Sequence, residues 1–234
     1  MEKIMDKNIK VSVVMPTFNE EKAIGKVIED IRTYTKGYET EIVIVDSSSD
    51  STVDIAKRMG VKVLAQKPQG HGIALRTAIK EAKNDIIITA DCDNTYPMSF
   101  IPKLVELSGE YDLVSCNRLN KELKKEMPFM NRLANMGFAF LVRLLYGINV
   151  HDVSTGMFCI RKNLKESINW ETNYSLPCEI IVRTNLGKFK HKEIDIPYKI
   201  RIGEVKLQKL RSGIAYLKCI FNYRFGLKID PKDI

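Results

Sequence analysis

Apolar and polar positions alternate along this chain in short blocks that read as strands and helices in turn. Positions 11–15 (VSVVM) form a buried-strand run, and 22–35 repeat their apolar residues at helical spacing. The same alternation follows with a strand over 41–45 and a helix over 51–59 that Ser49 or Asp50 can cap. It continues with a strand over 61–65, a helix over 73–82, a strand over 85–90 and, after Pro97, a helix over 99–107. Strands separated by helices of this length predict βαβ units, hence an α/β fold with a mostly parallel sheet and helices on both faces. The regularity falters after a strand over 113–116: residues 117–128 are polar and lysine-rich without periodicity and predict a mobile loop. Beyond it come a helix over 131–146 with a broad apolar surface, a strand over 158–161 that returns to the sheet, and an edge strand over 192–200 interrupted by Pro197.

Near the carboxyl end, Leu207, Leu210, Ile214, Leu217, Phe221 and Phe225 recur at steps of three or four, flanked by Lys206, Lys209, Arg211, Lys218 and Arg224. This spacing predicts a basic amphipathic helix. Such a helix either packs on the sheet or lies at an interface, where anionic lipid favours it by about 1 kcal/mol per nearby Lys or Arg. The organisation expected is a single domain over 1–207 and a helical extension over 208–234.

Composition narrows the class. A chain of 234 residues that is 44% hydrophobic can bury a sizeable core, which excludes wholesale disorder. The cysteines Cys92, Cys116, Cys159, Cys178 and Cys219 lie far apart without a C-x-x-C pair, and the opening MEKIMDKNIK alternates charges where a secretory leader is apolar. A reduced, cytoplasmic chain is expected. No stretch reaches the roughly 18 uncharged apolar residues of a spanning helix, and the nearest, 133–148, contains Arg143; any membrane contact is expected to be peripheral, on the inner face. The net charge is +8, and residues 188–228 hold 11 Lys or Arg against Glu193, Asp195 and Glu204, an excess of 11 − 3 = +8. Such a segment suits nucleic acid, anionic lipid or a phosphorylated substrate. Without a recognition helix or an aromatic stacking motif, nucleic acid is the weakest of the three.

The chemistry concentrates where apolar runs empty into polar loops: VSVVMPTFNE (11–20), IVIVDSSSDST (42–52) and IIITADCDNTYP (86–97). In a parallel α/β sheet, ligands bind in the crevice outside those strand ends. Asp91 and Asp93, one residue apart after a strand, suit a hard divalent cation shared with substrate phosphates. Gly70 and Gly72 allow close backbone approach, and Arg76 lies one turn into the next helix.

These segments, together with QGHGIALRTAI (69–79), TGMFCIRK (155–162) and IPYKIRIGEVKL (196–207), occur in the order that resembles the family 2 glycosyltransferases, and among them the polyprenyl (dolichyl) phosphate sugar synthases. The resemblance runs from about residue 11 to 207. It implies a GT-A, Rossmann-like nucleotide-sugar-binding fold and inverting transfer of a sugar from a UDP- or GDP-sugar to polyprenyl phosphate, with Mg²⁺ or Mn²⁺. It implies Asp93 as the direct metal ligand and Asp91 on the ribose or in the metal's outer shell. Asp46 would meet the base, and Pro16, Thr17, Glu20, Gly72 and Arg76 would line the donor pocket. Arg118, Arg132, Arg201 and Lys206 match positions for donor or acceptor phosphates, where guanidinium forks fit phosphate oxygens. With the 117–128 loop they would form a cationic gate that excludes water.

Asp152 stands where relatives with hydroxyl acceptors hold a general base. A phosphate monoester, with its second pKa near 6, needs no base, and Asp152 would then orient the acceptor or a phosphate-binding arginine. The chain departs from the family pattern at Ser47, where a second acidic residue is usual, leaving uracil against guanine open. It also has His71 for a lysine and Phe158 for an arginine, with Arg161 nearby. Two rivals follow: transfer to a sugar hydroxyl with Asp152 as base, and an inactive binding protein of the same fold.

Overall fold

The computed structural model describes residues 9–120, 127–203 and 209–227. Seven strands form one sheet: β1 (Lys10–Thr17), β2 (Glu39–Asp46), β3 (Lys62–Ala65), β4 (Ile86–Thr89), β5 (Leu113–Asn117), β6 (Phe158–Arg161) and β7 (His191–Asp195), in the order β3-β2-β1-β4-β6-β5-β7. The first four pair in parallel through helices α1 (Ile24–Tyr34), α2 (Thr52–Arg58) and α3 (His71–Glu81), as the alternation predicts. A short α4 (Ile101–Leu107) leads to β5, and β6 runs antiparallel between β4 and β5.

Successive strand residues serve opposite faces, and each face has its own core. Val13, Met15, Ile44 and Ile88 pack with Ile24, Val27, Ile28 and Ile31 of α1 and Ile101 and Leu104 of α4. On the other face Val14, Val43, Ile87 and Phe158 pack with Leu75 and Ala78 of α3, and with three later helices, α5 (Phe129–Tyr146), α7 (Leu176–Leu186) and α8 (Lys209–Phe225). A short α6 (Lys162–Ser167) follows β6. Neither α6 nor α7 stands out in the sequence pattern. The expected edge strand over 192–200 ends instead at Asp195, two residues before Pro197, which has no N–H for the ladder.

Of the two placements weighed for the carboxyl-terminal helix, on the sheet or at an interface, each matches one of its sides. One side packs on the body of the domain: Tyr216, Cys219 and Ile220 are buried in the main core, Tyr216 stacks on Phe138 at 5.1 Å, and Tyr146 donates to the Ile220 carbonyl at 2.5 Å. The predicted apolar stripe faces outward, with Leu210 81% and Phe225 62% exposed and Ile214, Leu217 and Phe221 also at the surface. The buried side of α8 is a second stripe of Ser212, Ala215, Tyr216, Cys219 and Ile220. The stripe of large apolar residues read from the sequence is the outward one, and the buried one is built of smaller side chains and a tyrosine. Lys206 and Leu207 lie outside the described residues. Adjacent α5 likewise buries Ala139 and Val142 and exposes Phe129, Met130, Leu133, Met136, Phe140 and Leu144. Among the described residues no helix is long and apolar enough to cross a membrane.

His191, at the start of β7, gives the fold a pH dependence. Its Nε2 meets Ser115 Oγ at 2.8 Å and its Nδ1 meets the Asn185 amide at 3.2 Å, and burial lowers its pKa to about 4. The unfolded chain protonates this imidazole near pH 6.5 while the folded chain does not. The stabilisation is therefore complete above pH 6.5 and is lost progressively down to about pH 4, on the order of 3 kcal/mol in all. Urea midpoints measured from pH 7.5 to 4.5 should fall accordingly, and His191→Gln should flatten that part of the curve. An unchanged slope in the variant would assign the acid sensitivity elsewhere.

Candidate active site

The carboxyl ends of β1, β2 and β4 converge because their registers align: Thr17 lies beside Asp46, and Val14 beside Thr89. Pro16 sits past the last β4 pairing, where its missing N–H leaves no gap in that ladder. Asp46 is buried. Its Oδ1 accepts from Thr17 Oγ1 at 2.6 Å and Ser48 Oγ at 2.7 Å, and its Oδ2 from Ser48 N at 2.8 Å. Asn19, in the left-handed region at φ 54°, accepts from Ser49 N at 2.8 Å. The β1 and β2 loops are thereby stitched into one wall.

After β4 the chain turns sharply through Asn94 at φ 68°. Asp93, 3% exposed, accepts from Thr95 N at 3.0 Å and Thr95 Oγ1 at 2.5 Å, closing an Asx turn that fixes the carboxylate. It also pairs with Arg201 Nη1 at 2.5 Å, while Arg201 Nη2 donates to Glu20 Oε1 at 2.8 Å. Burial, with the charge of Asp91 added, pushes the Asp93 carboxyl above the usual range. Burial acts on Asp91 too, but His71, Arg118 and Arg201 reverse it and hold this carboxyl below its ordinary value. The His71 Nε2 to Asp91 Oδ1 distance is 2.9 Å. Two carboxylates from one loop, one buried and raised by its neighbour's charge, form a hard-oxygen donor pair that fits Mg²⁺ or Mn²⁺ completed by substrate oxygens.

The second half of the site is a buried ion pair. Arg118, just past β5, donates from Nε to Asp152 Oδ2 at 2.7 Å and from Nη2 to Asp152 Oδ1 at 3.0 Å, with a further Nη2 bond to Ser154 Oγ at 2.9 Å. Asp152 is fully buried. Burial works against its ionised form, and the Arg118 guanidinium more than offsets this and keeps the carboxyl low. Glu193 of β7 accepts from Asp152 N at 3.0 Å and from His151 N at 2.9 Å, fixing the turn that carries Asp152. Of the roles considered for Asp152, orienting an arginine is the one this geometry displays. Arg132, in the first turn of α5, donates to the Leu119 carbonyl at 3.3 Å and lies beside the same loop. Lys206 falls outside the described residues, as do 121–126 of the expected gate.

Gly72 and Arg76 both lie against the segment around Asn173. A Cβ on Gly72 would lie 2.0 Å from the Asn173 carbonyl oxygen, and one on Gly70, at φ 108°, would meet the Asn173 amide at 2.4 Å. Both glycines leave room for Asn173 to lie against the start of α3. Arg76 Nη1 donates to the Trp170 and Glu171 carbonyls at 2.8 and 2.6 Å, bracing that same segment. Its anchor is Glu179, buried on α7, which accepts from Glu171 N at 2.8 Å and Thr172 N at 2.7 Å. Sequence reasoning passed over Asn173, Glu179, Ser154 and Tyr96. For Thr95 a signal existed, because Asp-x-Thr after a strand is an Asx-turn pattern.

Comparison with known proteins bears on the family and the fold. The family model described as glycosyl transferase family 2 matches residues 12–168. A dolichyl-phosphate hexose transferase of Haloferax volcanii is 42% identical over 211 residues, covering 90% of this chain and 92% of its own. A dolichol-phosphate mannosyltransferase of Pyrococcus furiosus is 29% identical over 91% of this chain and 63% of its own. Among solved structures, glucosyl-3-phosphoglycerate synthase of Mycobacterium tuberculosis, in complex with Mn²⁺, UDP and glucosyl-3-phosphoglycerate, superposes with a TM-score of 0.73 at 20% identity, over 95% of this chain and 82% of that one.

Proposed function

Because the chain belongs to glycosyl transferase family 2, a family of nucleotide-sugar-dependent enzymes, we propose that its sugar acceptor is polyprenyl phosphate and that its donor is a UDP- or GDP-hexose. The observation that carries this reading is the Arg118–Asp152 pair. Asp152 is committed to the guanidinium and fully buried, so it is poorly placed to take a proton from a hydroxyl, whereas an anionic acceptor needs a fixed cation and no base. The two dolichyl-phosphate relatives point to the same acceptor class.

A phosphate oxygen of the lipid attacks the anomeric carbon, the bond to the diphosphate breaks, and the nucleoside diphosphate leaves with its electron pair, inverting the centre. Asp93 and Asp91 would hold a divalent ion, which supplies positive charge for the leaving diphosphate. Asp46 and Thr17 form the floor on which the nucleoside rests. Arg201, close to Asp93 and Glu20, has its fork within reach of a diphosphate, and Arg118 meets the acceptor phosphate.

The outward faces of α5 and α8 would seat the enzyme on a bilayer. They present apolar residues such as Phe129, Leu133, Phe140, Leu144, Leu210 and Phe225, beside the basic Arg211 and Arg224. Incubation of a panel of radiolabelled UDP- and GDP-sugars with short-chain polyprenyl phosphate, with Mg²⁺ or with chelator, should place label in the lipid phase only when metal is present. The same preparation should co-sediment with anionic vesicles, and Leu210→Ser/Phe225→Ser should weaken that binding several-fold. Absence of lipid label with every donor would defeat the acceptor assignment and redirect the search to hydroxyl acceptors.

A further inference from the structure

Arg118 is held by more than its carboxylate. Its guanidinium carbon lies 5.8 Å from the ring centroid of Tyr96 and 5.4 Å from that of Tyr198, and the two rings meet edge to face at 6.2 Å and 79°. With Nε and Nη2 taken by Asp152 and Ser154, Nη1 is the guanidinium nitrogen left without a protein partner among the described residues. We propose that Tyr96 and Tyr198 are positioning residues of the transfer reaction, an aromatic clamp that aims Nη1 of Arg118 at the anionic group of the acceptor. The inference rests on the reading above that Arg118 receives the acceptor phosphate.

Each ring is anchored to the donor side of the site. Tyr96 belongs to the loop that carries Asp91 and Asp93, and its hydroxyl accepts from Gly156 N at 2.5 Å. A Cβ on Gly156 would lie 3.1 Å from that hydroxyl and 3.0 Å from an Asp91 oxygen, so the phenol and the carboxylate crowd one small space beside this glycine. Tyr198 sits on the segment leaving β7, which is laid against the same loop by Lys199 N to the Thr95 carbonyl at 2.9 Å and by Ile202 N to the Asp93 carbonyl at 2.9 Å. Ile196 N donates to the Asn117 carbonyl at 3.0 Å, next to Arg118 itself. The segment therefore carries Tyr198 toward the acceptor arginine and, three residues on, Arg201 toward Asp93. A guanidinium over two ring faces keeps its charge and loses its rotational freedom. That allows a single unpaired nitrogen to discriminate the position of an oxygen, which a solvated arginine does not.

The test uses the full chain with Tyr198→Leu and Tyr198→Phe, because the Tyr96 hydroxyl also holds Gly156 N beside Asp91 and its replacement would disturb the donor side as well. Removing a ring should raise the KM for polyprenyl phosphate about tenfold, a cation–π contact of about 1.4 kcal/mol, with the dissociation constant for the nucleotide sugar unchanged within about twofold. Tyr198→Phe keeps the ring and should restore the wild-type KM, a rescue that a hydrogen-bonding role would not show. In parallel, the Nε–H resonance of Arg118, read by proton–nitrogen spectroscopy on the ligand-free protein, should lose its ring-current shift in Tyr198→Leu and retain it in Tyr198→Phe. Equal loss in both variants, a matched rise in donor and acceptor constants, or an unshifted Arg118 resonance in wild type would overturn the clamp. If wild type labels no lipid phosphate, the acceptor assignment falls, and the clamp stands or falls on the resonance alone.

Discussion

Asp93→Asn should lower metal-dependent sugar transfer by about a thousandfold or more, because it removes the charge of the buried carboxylate in the donor pair on which a divalent ion would rest. The amide oxygen can still accept from Thr95 N, so the turn should survive and the loss should be chemical more than structural. The change also releases Arg201 from its 2.5 Å pairing, leaving it with Glu20. Asp91→Asn should cost less, since Asp91 is more exposed and holds His71 at the rim. Transfer rates with saturating Mg²⁺ or Mn²⁺, set beside Mn²⁺ binding followed by electron paramagnetic resonance, check both statements. A rate for Asp93→Asn close to wild type at saturating metal would remove Asp93 from the metal site.

The parts of the fold that could be read from sequence are those where burial has a period. β1, β2 and β4 are apolar runs with turn residues at their ends, and α1 buries Ile24, Val27, Ile28 and Ile31 at steps of three and four. Helix α7 escaped notice because it is buried almost all round, Leu176, Cys178, Glu179, Ile180, Ile181 and Val182 included, and a helix without a wet face shows no amphipathic period. The direction of β6 was equally hidden, since nothing local in Phe158–Arg161 says whether its neighbours run with it or against it. In the site, Asp91 and Asp93 were visible as a pair one residue apart. The contact between Arg118 and Asp152 joins residues 34 positions apart, and Arg201 meets Asp93 across 108. Only the resemblance to a family brought those residues into one list, and it could not say which carboxylate would take which arginine. Gly72 carries a contact that no local pattern announces: it makes room for the Asn173 carbonyl, about a hundred positions further along the chain.

Asp152→Asn separates the two acceptor classes, provided stability is measured beside activity. Breaking one side of a buried ion pair leaves the other charge uncompensated, which typically costs about 3–5 kcal/mol, and Asn, which still offers one oxygen to Arg118, should fall at or below the lower end. With a phosphate acceptor, the folded fraction should keep a kcat within about tenfold of wild type while the KM for the acceptor rises about tenfold to a hundredfold, because the variant misaims an arginine and removes no step of proton transfer. With a hydroxyl acceptor, the same change deletes the general base, and kcat should fall by about 10²–10⁴ with the KM little altered. The double replacement Arg118→Met/Asp152→Leu removes both charges together and should recover much of the stability lost by the single variant, since apolar side chains of similar volume can replace such a pair. Recovered stability with acceptor recognition still absent would assign the pair to substrate. Recovery of both would reduce it to a structural contact.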